Sequence, residues 1–237
     1  MIEVESIENQ IINADCMDIL KQSPDKCIDL VLTDPPYKLV SGSGKNRKIT
    51  MKNVSIEKIN NGSLFENNTI KFSEWLPEIY RILKNNAHCY IFINYKNMNK
   101  LLNECKKNKL ELLNILVWEK NIATPTQYYM KNNEFILFLK KGKAKYINNI
   151  GTKSILKYNN VKNKIHPTEK PIPLLECLIK NSTNENDLIL DCFSGSGTTA
   201  VAAHNLKRRF ICIEKDKDYY DASVERLKNA QAQMKLF

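Results

Sequence analysis

The chain has 237 residues, enough for one domain with a sizeable core and short for two, and that length excludes a disulfide-held miniprotein. Hydrophobic residues at 43% and charged residues at 26% exclude a wholly disordered chain. Lysine and arginine outnumber aspartate and glutamate by 36 to 26, a net charge of +10, which favours a polyanionic partner. The excess is local. Residues 140–170 carry nine lysines against the single acid Glu169, and residues 38–58 carry six basic residues against Glu57, so the rest of the chain is slightly acidic.

The seven cysteines are odd in number and widely spaced, without a Cys-x-x-Cys pair or Cys/His cluster. That pattern argues for a reduced, cytoplasmic setting and against a metal site. The N-terminus carries Glu3, Glu5 and Glu8 with no apolar run, so neither a signal peptide nor a membrane span is expected.

In chain order, short apolar runs alternate with amphipathic stretches, the pattern of parallel strands covered by helices on both faces. Strands are expected at 10–13, 29–33, 89–94, 112–119, 133–140, 187–191 and 210–214. Helices are expected at 17–21, 72–83, 98–108, 173–181, 198–205 and 219–233. The runs at 112–119 and 133–140 are joined by a polar, aromatic connection without a helix signal, which suggests an antiparallel pair at one sheet edge. Trp75, at helical spacing with Ile79 and Leu83, reads as core. Two segments break the alternation: residues 38–68, polar and basic after a Pro-Pro pair and expected to be a mobile loop, and the lysine-rich residues 141–165.

Two constellations carry chemistry. Asp191-Cys192-Phe193-Ser194-Gly195-Ser196-Gly197 followed by Ala200 closes an apolar run and opens a helix as Gly-x-Gly-x-x-Ala. Such glycines permit a tight turn and a close approach of backbone to a ligand. Glu214, at the tip of the next strand, is placed to accept hydrogen bonds from ribose hydroxyls. This describes an adenosine-type cofactor site without choosing the cofactor, and NAD in a dehydrogenase fits it as well. The second constellation is Asp34-Pro35-Pro36-Tyr37, at the end of another apolar strand. With proline near 5% of residues, chance gives Asp-Pro-Pro-aromatic on the order of 10⁻³ per chain of this length, so the tetrapeptide is informative. Two prolines leave carbonyls that only accept, Asp34 adds a carboxylate, and Tyr37 offers a flat face. Together they suit a planar exocyclic amino group.

With these motifs the chain resembles the amino-group DNA methyltransferases, which use S-adenosylmethionine, and the order of the two motifs resembles the permuted beta group of that family. Asn13-Ala14-Asp15-Cys16 is similar to the family's Gly-Asp-Cys segment, with Ala14 in place of the usual glycine. Asn133-Glu134-Phe135-Ile136-Leu137-Phe138 resembles its late sheet strand, and His166-Pro167-Thr168-Glu169-Lys170-Pro171 its segment over the methionine end of the cofactor.

The resemblance implies a single-domain, mostly parallel, doubly wound Rossmann-like α/β fold over 1–237. It implies site-specific transfer of a methyl group to adenine N6 of a base flipped out of double-stranded DNA, with Asp34, Pro35, Pro36 and Tyr37 catalytic and Tyr37 stacked on the base. Asp15, Cys16, Asp191, Phe193, Gly195, Ser196, Gly197 and Glu214 would hold the cofactor, with Lys170 near its carboxylate. Lys45, Arg47, Lys48, Lys143, Lys145, Lys153, Lys157, Lys162 and Lys164 are the candidate DNA contacts, and residues 141–165 a short target-recognition segment. The resemblance leaves room for a homodimer and a cognate restriction enzyme. Cytosine N4 methylation uses the same geometry, although Asp rather than Ser before Pro-Pro-Tyr tilts towards adenine. RNA methylation, the dehydrogenase and a non-catalytic DNA-binding module complete the alternatives.

Overall fold

The computed structural model describes residues 2–36, 70–125, 128–162 and 168–234. Along the chain, β1 (Gln10–Asn13), α1 (Cys16–Gln22) and β2 (Ile28–Thr33) are followed by α2 (Phe72–Ile82), β3 (Leu83–Ile93) and α3 (Tyr95–Lys107). Then come β4 (Leu110–Thr124), β5 (Lys131–Lys141), β6 (Ile155–Lys157) and α4 (Ile172–Ser182). The chain ends with β7 (Leu188–Asp191), α5 (Thr198–Asn205), β8 (Arg209–Glu214) and α6 (Lys217–Met234). Every strand and helix expected from the sequence is present. The short β6 was not expected.

The strands form one eight-stranded sheet in the order β1-β8-β7-β2-β3-β5-β4-β6. β5 runs antiparallel to both β3 and β4, and every other pairing is parallel. The expected antiparallel pair, β4 with β5, therefore exists, but the edge belongs to β6, which pairs parallel with β4. Ile155-Leu156-Lys157 is too short and too lysine-flanked to announce a strand, and only β4 supplies its register.

The central strands are apolar on both sides because helices cover both sides. Val31, Cys89, Ile91 and Ile93 pack in one core with α1, α2 and α3, through Leu20, Trp75, Ile79, Ile82 and Leu101. Leu30, Leu32, Tyr90 and Phe92 pack in the other with α4, α5 and α6, through Leu175, Ile179, Ala202 and Leu227. Trp75 and Ile79 are fully buried on α2, as helical spacing requires. Among the described residues, no helix is long and apolar enough to cross a membrane.

The register fixes which side chains share an end of the sheet. Thr33 pairs with Ile91 and Ile91 with Leu137, whereas His88 pairs with Lys140. At about 3.3 Å per residue, Lys140 lies about 10 Å below the level of Thr33, and residues 142–149 continue away from it. There Lys141, only 4% exposed, donates from Nζ to the carbonyls of Tyr80 (2.5 Å) and Leu83 (2.6 Å) at the C-terminus of α2. Burial lowers its pKa. Lys145 donates to Ser182 O (3.1 Å), and its own carbonyl faces Nε2 of the buried His88 (3.2 Å). Asn148 donates to Lys180 O and Thr183 O at the end of α4. The first part of the lysine-rich segment is thus a structural strap across the end of the sheet where the parallel strands begin. Lys141→Met leaves buried helix-terminal carbonyls without a donor, so thermal or urea unfolding will show a loss of about 1–3 kcal/mol.

Candidate active site

The connections from β2 and β7, which lie side by side, leave in opposite directions: β2 leads through α2 to β3, and β7 through α5 to β8. Such a switch point opens a crevice beyond the carboxyl ends of the strands, the usual ligand position in open α/β sheets. Asp34 follows β2 here, and Asp191 ends β7.

Asp191 joins the two strands. Its Oδ1 accepts from Thr33 Oγ1 of β2 (2.8 Å) and from the Phe193 amide (3.2 Å), and its Oδ2 accepts from Thr199 Oγ1 of α5 (2.5 Å). Burial raises its pKa to about 6 against the pull of these donors. Asp191, expected as a cofactor ligand, has both oxygens engaged within the protein. It shapes the loop that follows.

That loop turns on two glycines in the left-handed region, Gly195 (φ +51°) and Gly197 (φ +72°). A Cβ on Gly197 would stand 2.8 Å from Ser223 Cβ, so α6 packs directly against the bare backbone. Glu214 at the tip of β8 accepts from the Gly195 amide (2.7 Å) and the Asp216 amide (2.8 Å) on separate oxygens. Each oxygen keeps further lone-pair capacity, and burial raises the carboxyl's pKa. Ser196 is held through its carbonyl (3.1 Å) and hydroxyl (3.2 Å) by Arg226 of α6, whose other nitrogen pairs with the buried Glu169 (2.9 Å). Phe193 meets Trp75 edge-on at 5.5 Å.

Asp15 and Cys16 sit beside Glu214, since the Ala14 amide donates to Glu214 O (3.2 Å) and Asn13 Nδ2 to the same carbonyl (2.9 Å). Asp15 caps α1 by accepting from the Met17 amide (3.0 Å) and pairs with Lys215 (3.0 Å). Burial opposes its ionisation, but these partners hold its pKa below the ordinary value. The Cys16 thiol is buried and pushed up to about 12.

Asp34 presents two different oxygens. Oδ2 accepts from Lys170 Nζ at 2.5 Å, while Oδ1 is buried and, among the described residues, has no hydrogen-bond partner. Pro35, the next residue, is buried. Lys170 also donates to Thr168 O (3.0 Å), pairs with Glu134 of β5 (3.2 Å) and lies over the Phe92 ring. Glu134 in turn pairs with Lys120 of β4, which lies over the Trp118 ring. Lys170, expected at the cofactor's carboxylate, is therefore bonded to Asp34. Burial pushes the Asp34 carboxyl up, and Glu134 adds to this, against the opposing charge of Lys170.

Thus Asp15, Cys16, Asp34, Pro35, Pro36, Lys170, Asp191, Phe193, Gly195, Ser196, Gly197 and Glu214 gather at the carboxyl end of the sheet. Tyr37, Lys45, Arg47, Lys48 and Lys164 lie outside the described residues, as does the 38–68 segment. Lys157, which pairs with Glu119 (3.2 Å), and the exposed Lys162 lie towards the Asp34 end, and Lys153 precedes β6 at the sheet edge. Lys143 and Lys145 are not brought to the site, because they belong to the strap at the opposite end. Sequence reasoning passed over Glu134, Lys120 and Arg226. The carboxylate that directly precedes the apolar run Phe135–Leu139 of β5 was the one signal for Glu134; Arg226 offered none. Among the described residues, no cluster of three or more His, Cys, Asp or Glu could hold a metal ion.

Comparison with known proteins agrees with this geometry. The N6_N4_Mtase family model, described as DNA methylase, matches residues 28–225. The type II methyltransferase M2.MboI of Moraxella bovis is 31% identical over 240 residues, covering 91% of this chain and 86% of the relative. M2.LlaDCHI of Lactococcus lactis subsp. cremoris is 30% identical, covering 93% and 90%. Among solved structures, the M1.HpyAVI-SAM complex superposes with a TM-score of 0.70 at 29% identity, covering 92% of this chain and 99% of that one. The cytosine-N4-specific PvuII DNA methyltransferase reaches 0.71 at 18% identity, a likeness of fold.

The pKa of Asp191 makes a stability prediction. The fold raises it from 3.8 to about 6, so its contribution is full below the unfolded value and is lost as pH rises through the folded one. Urea unfolding will show the advantage of the wild type over Asp191→Asn shrinking by about 2 kcal/mol between pH 4.5 and pH 7.

Proposed function

This chain belongs to the N6_N4_Mtase family of DNA methylases, and we propose that it moves a methyl group from S-adenosylmethionine to N6 of a flipped adenine in double-stranded DNA. We place it in the permuted beta group, since Asp34-Pro35-Pro36-Tyr37 precedes the glycine loop in the chain. The family match removes the dehydrogenase and non-catalytic readings.

The observation that carries this reading is the free oxygen of Asp34: a buried carboxylate acceptor, without a partner among the described residues, one strand away from a glycine cradle. Leaving a buried acceptor unsatisfied costs about 1–3 kcal/mol, which a substrate donor would recover. The residues also fit the cofactor. Gly195 turns the loop without a side chain of its own, Gly197 lets α6 pack close behind that loop, and Glu214 and Asp15 offer carboxylates for hydroxyl groups. When bound, S-adenosylmethionine supplies an electrophilic methyl group.

The chain's own residues then act on the nucleophile. An aniline-like amino nitrogen is weak because its lone pair is delocalised into the ring. Asp34 Oδ1 and the Pro35 carbonyl each accept one N–H, favouring a pyramidal nitrogen whose lone pair points away from the ring plane. These bonds strengthen as positive charge develops on nitrogen, so they stabilise the transition state more than the ground state. The displaced proton leaves through Asp34. No cysteine participates, and the buried thiol of Cys16 stays protonated. Tyr37 stacks on the flipped base. The DNA lies over the carboxyl end of the sheet, with Lys157 and Lys162 on that side. The type II relatives support a cognate restriction enzyme as partner.

DNA from cells expressing the chain will contain N6-methyladenine by nucleoside mass spectrometry, and Asp34→Ala will abolish it. Strand-resolved mapping of the same DNA will supply the recognition sequence. N4-methylcytosine alone, or no modified base despite folded protein, would overturn the assignment.

A further inference from the structure

We propose that Glu134 is a positioning residue for Asp34: acting through Lys170, it keeps one Asp34 oxygen occupied and leaves the buried other one without a donor until the substrate amino group supplies it. The inference rests on the function proposed above and adds a residue on another strand to it.

The geometry is a chain of alternating charges drawn from four places in the fold. Asp34 follows β2, Lys170 precedes α4, Glu134 lies on β5 and Lys120 on β4. Lys170 Nζ meets Asp34 Oδ2 at 2.5 Å, Thr168 O at 3.0 Å and Glu134 Oε2 at 3.2 Å, while Glu134 Oε1 accepts from Lys120. The Lys170 side chain is 8% exposed and that of Glu134 21%. An ammonium has three donors and no acceptor. With acceptors on three sides, Lys170 is aimed at Oδ2 and has no spare proton for Oδ1. Remove the charge of Glu134 and the lysine is drawn to Asp34 alone, where it can swing across both oxygens and compete with a substrate N–H.

The charges act in the same direction. Burial would raise the Glu134 carboxyl, but Lys170 and Lys120 hold it down to about 2, so Glu134 stays ionised throughout the range in which Asp34 titrates. Its negative charge opposes that of Asp34 and increases the proton affinity of Asp34, a property a proton acceptor needs. Among the described residues, Lys170, Glu134 and Lys120 act on Asp34, and Asp191, at the end of the neighbouring β7, interacts with it as a like charge. Losing the Glu134 charge strengthens the hold of Lys170 on Asp34 and removes a repulsion, and both effects lower the pKa of Asp34.

The test compares wild type, Glu134→Gln and Glu134→Asp in methyl transfer from labelled S-adenosylmethionine to double-stranded DNA, with cofactor and DNA affinities measured in parallel. In Glu134→Gln, kcat falls roughly tenfold to a hundredfold, its acid limb moves to lower pH, and both affinities stay within about threefold of wild type. Glu134→Asp, which keeps the charge on a shorter stem, retains the position of the acid limb and recovers part of kcat. Carboxyl carbon NMR of the wild-type chain will find Asp34 titrating above Glu134, a reading that stands even if a variant fails to fold. An unmoved kcat and acid limb in Glu134→Gln, a loss confined to binding, or Asp34 titrating below Glu134 would overturn the inference while leaving wild-type methylation intact. An inactive wild type would instead overturn the proposed function.

Discussion

Thr33 and Thr199 donate to the two oxygens of one buried carboxylate, that of Asp191, and much else in the molecule hangs from that arrangement. Thr33 immediately precedes Asp34, and Thr199 lies in the first turn of the helix that follows the glycine loop. Asp191 therefore sets the spacing between Asp34 and the glycine loop, the proposed acceptor for the substrate and the proposed cradle for the cofactor. Holding it is costly, since burial opposes its charge, and the three donors around it offset only part of that. Such a cost is tolerable at a sheet switch point, where two strands must be locked in register although their connections depart in opposite directions.

A second layer of buried charge surrounds the first. Arg226 binds the Ser196 backbone and Glu169 together, which ties the glycine loop to the segment carrying Lys170. Lys170 then meets Asp34 and Glu134. Buried ion pairs of this kind add little net stability, because desolvation consumes most of the Coulombic gain, but breaking one leaves an uncompensated charge. Their value here is positional. They fix the direction of one carboxylate oxygen, the kind of preorganisation that methyl transfer to a weak nitrogen nucleophile demands.

The sheet was legible because strands buried on both faces must be apolar at nearly every position, as β2 and β3 are. The glycine loop and the Asp-Pro-Pro segment were legible because each imposes a backbone constraint within a few residues. What escaped notice depends on contacts distant in sequence. β6 is a strand only because β4 lies beside it, and Arg226 reaches Ser196 and Glu169 from another helix. Charge was the least reliable guide to position. A run of lysines at 140–170 reads as one basic surface, yet Lys141 and Lys145 bind carbonyls at the far end of the sheet and Lys170 is buried against Asp34. Only part of that run lies near the site.

The central claim is that cofactor and target base converge on the crevice between β2 and β7. A crystal structure of the chain with S-adenosylhomocysteine tests it most directly. The ribose should lie on Glu214, the backbone of Gly195 should face the ligand, and the sulfur should point towards Asp34 Oδ1. A nucleoside seated instead in the groove lined by Lys157, Tyr158, Pro171, Pro173 and Arg226, or one whose sulfur faces away from Asp34, would contradict it.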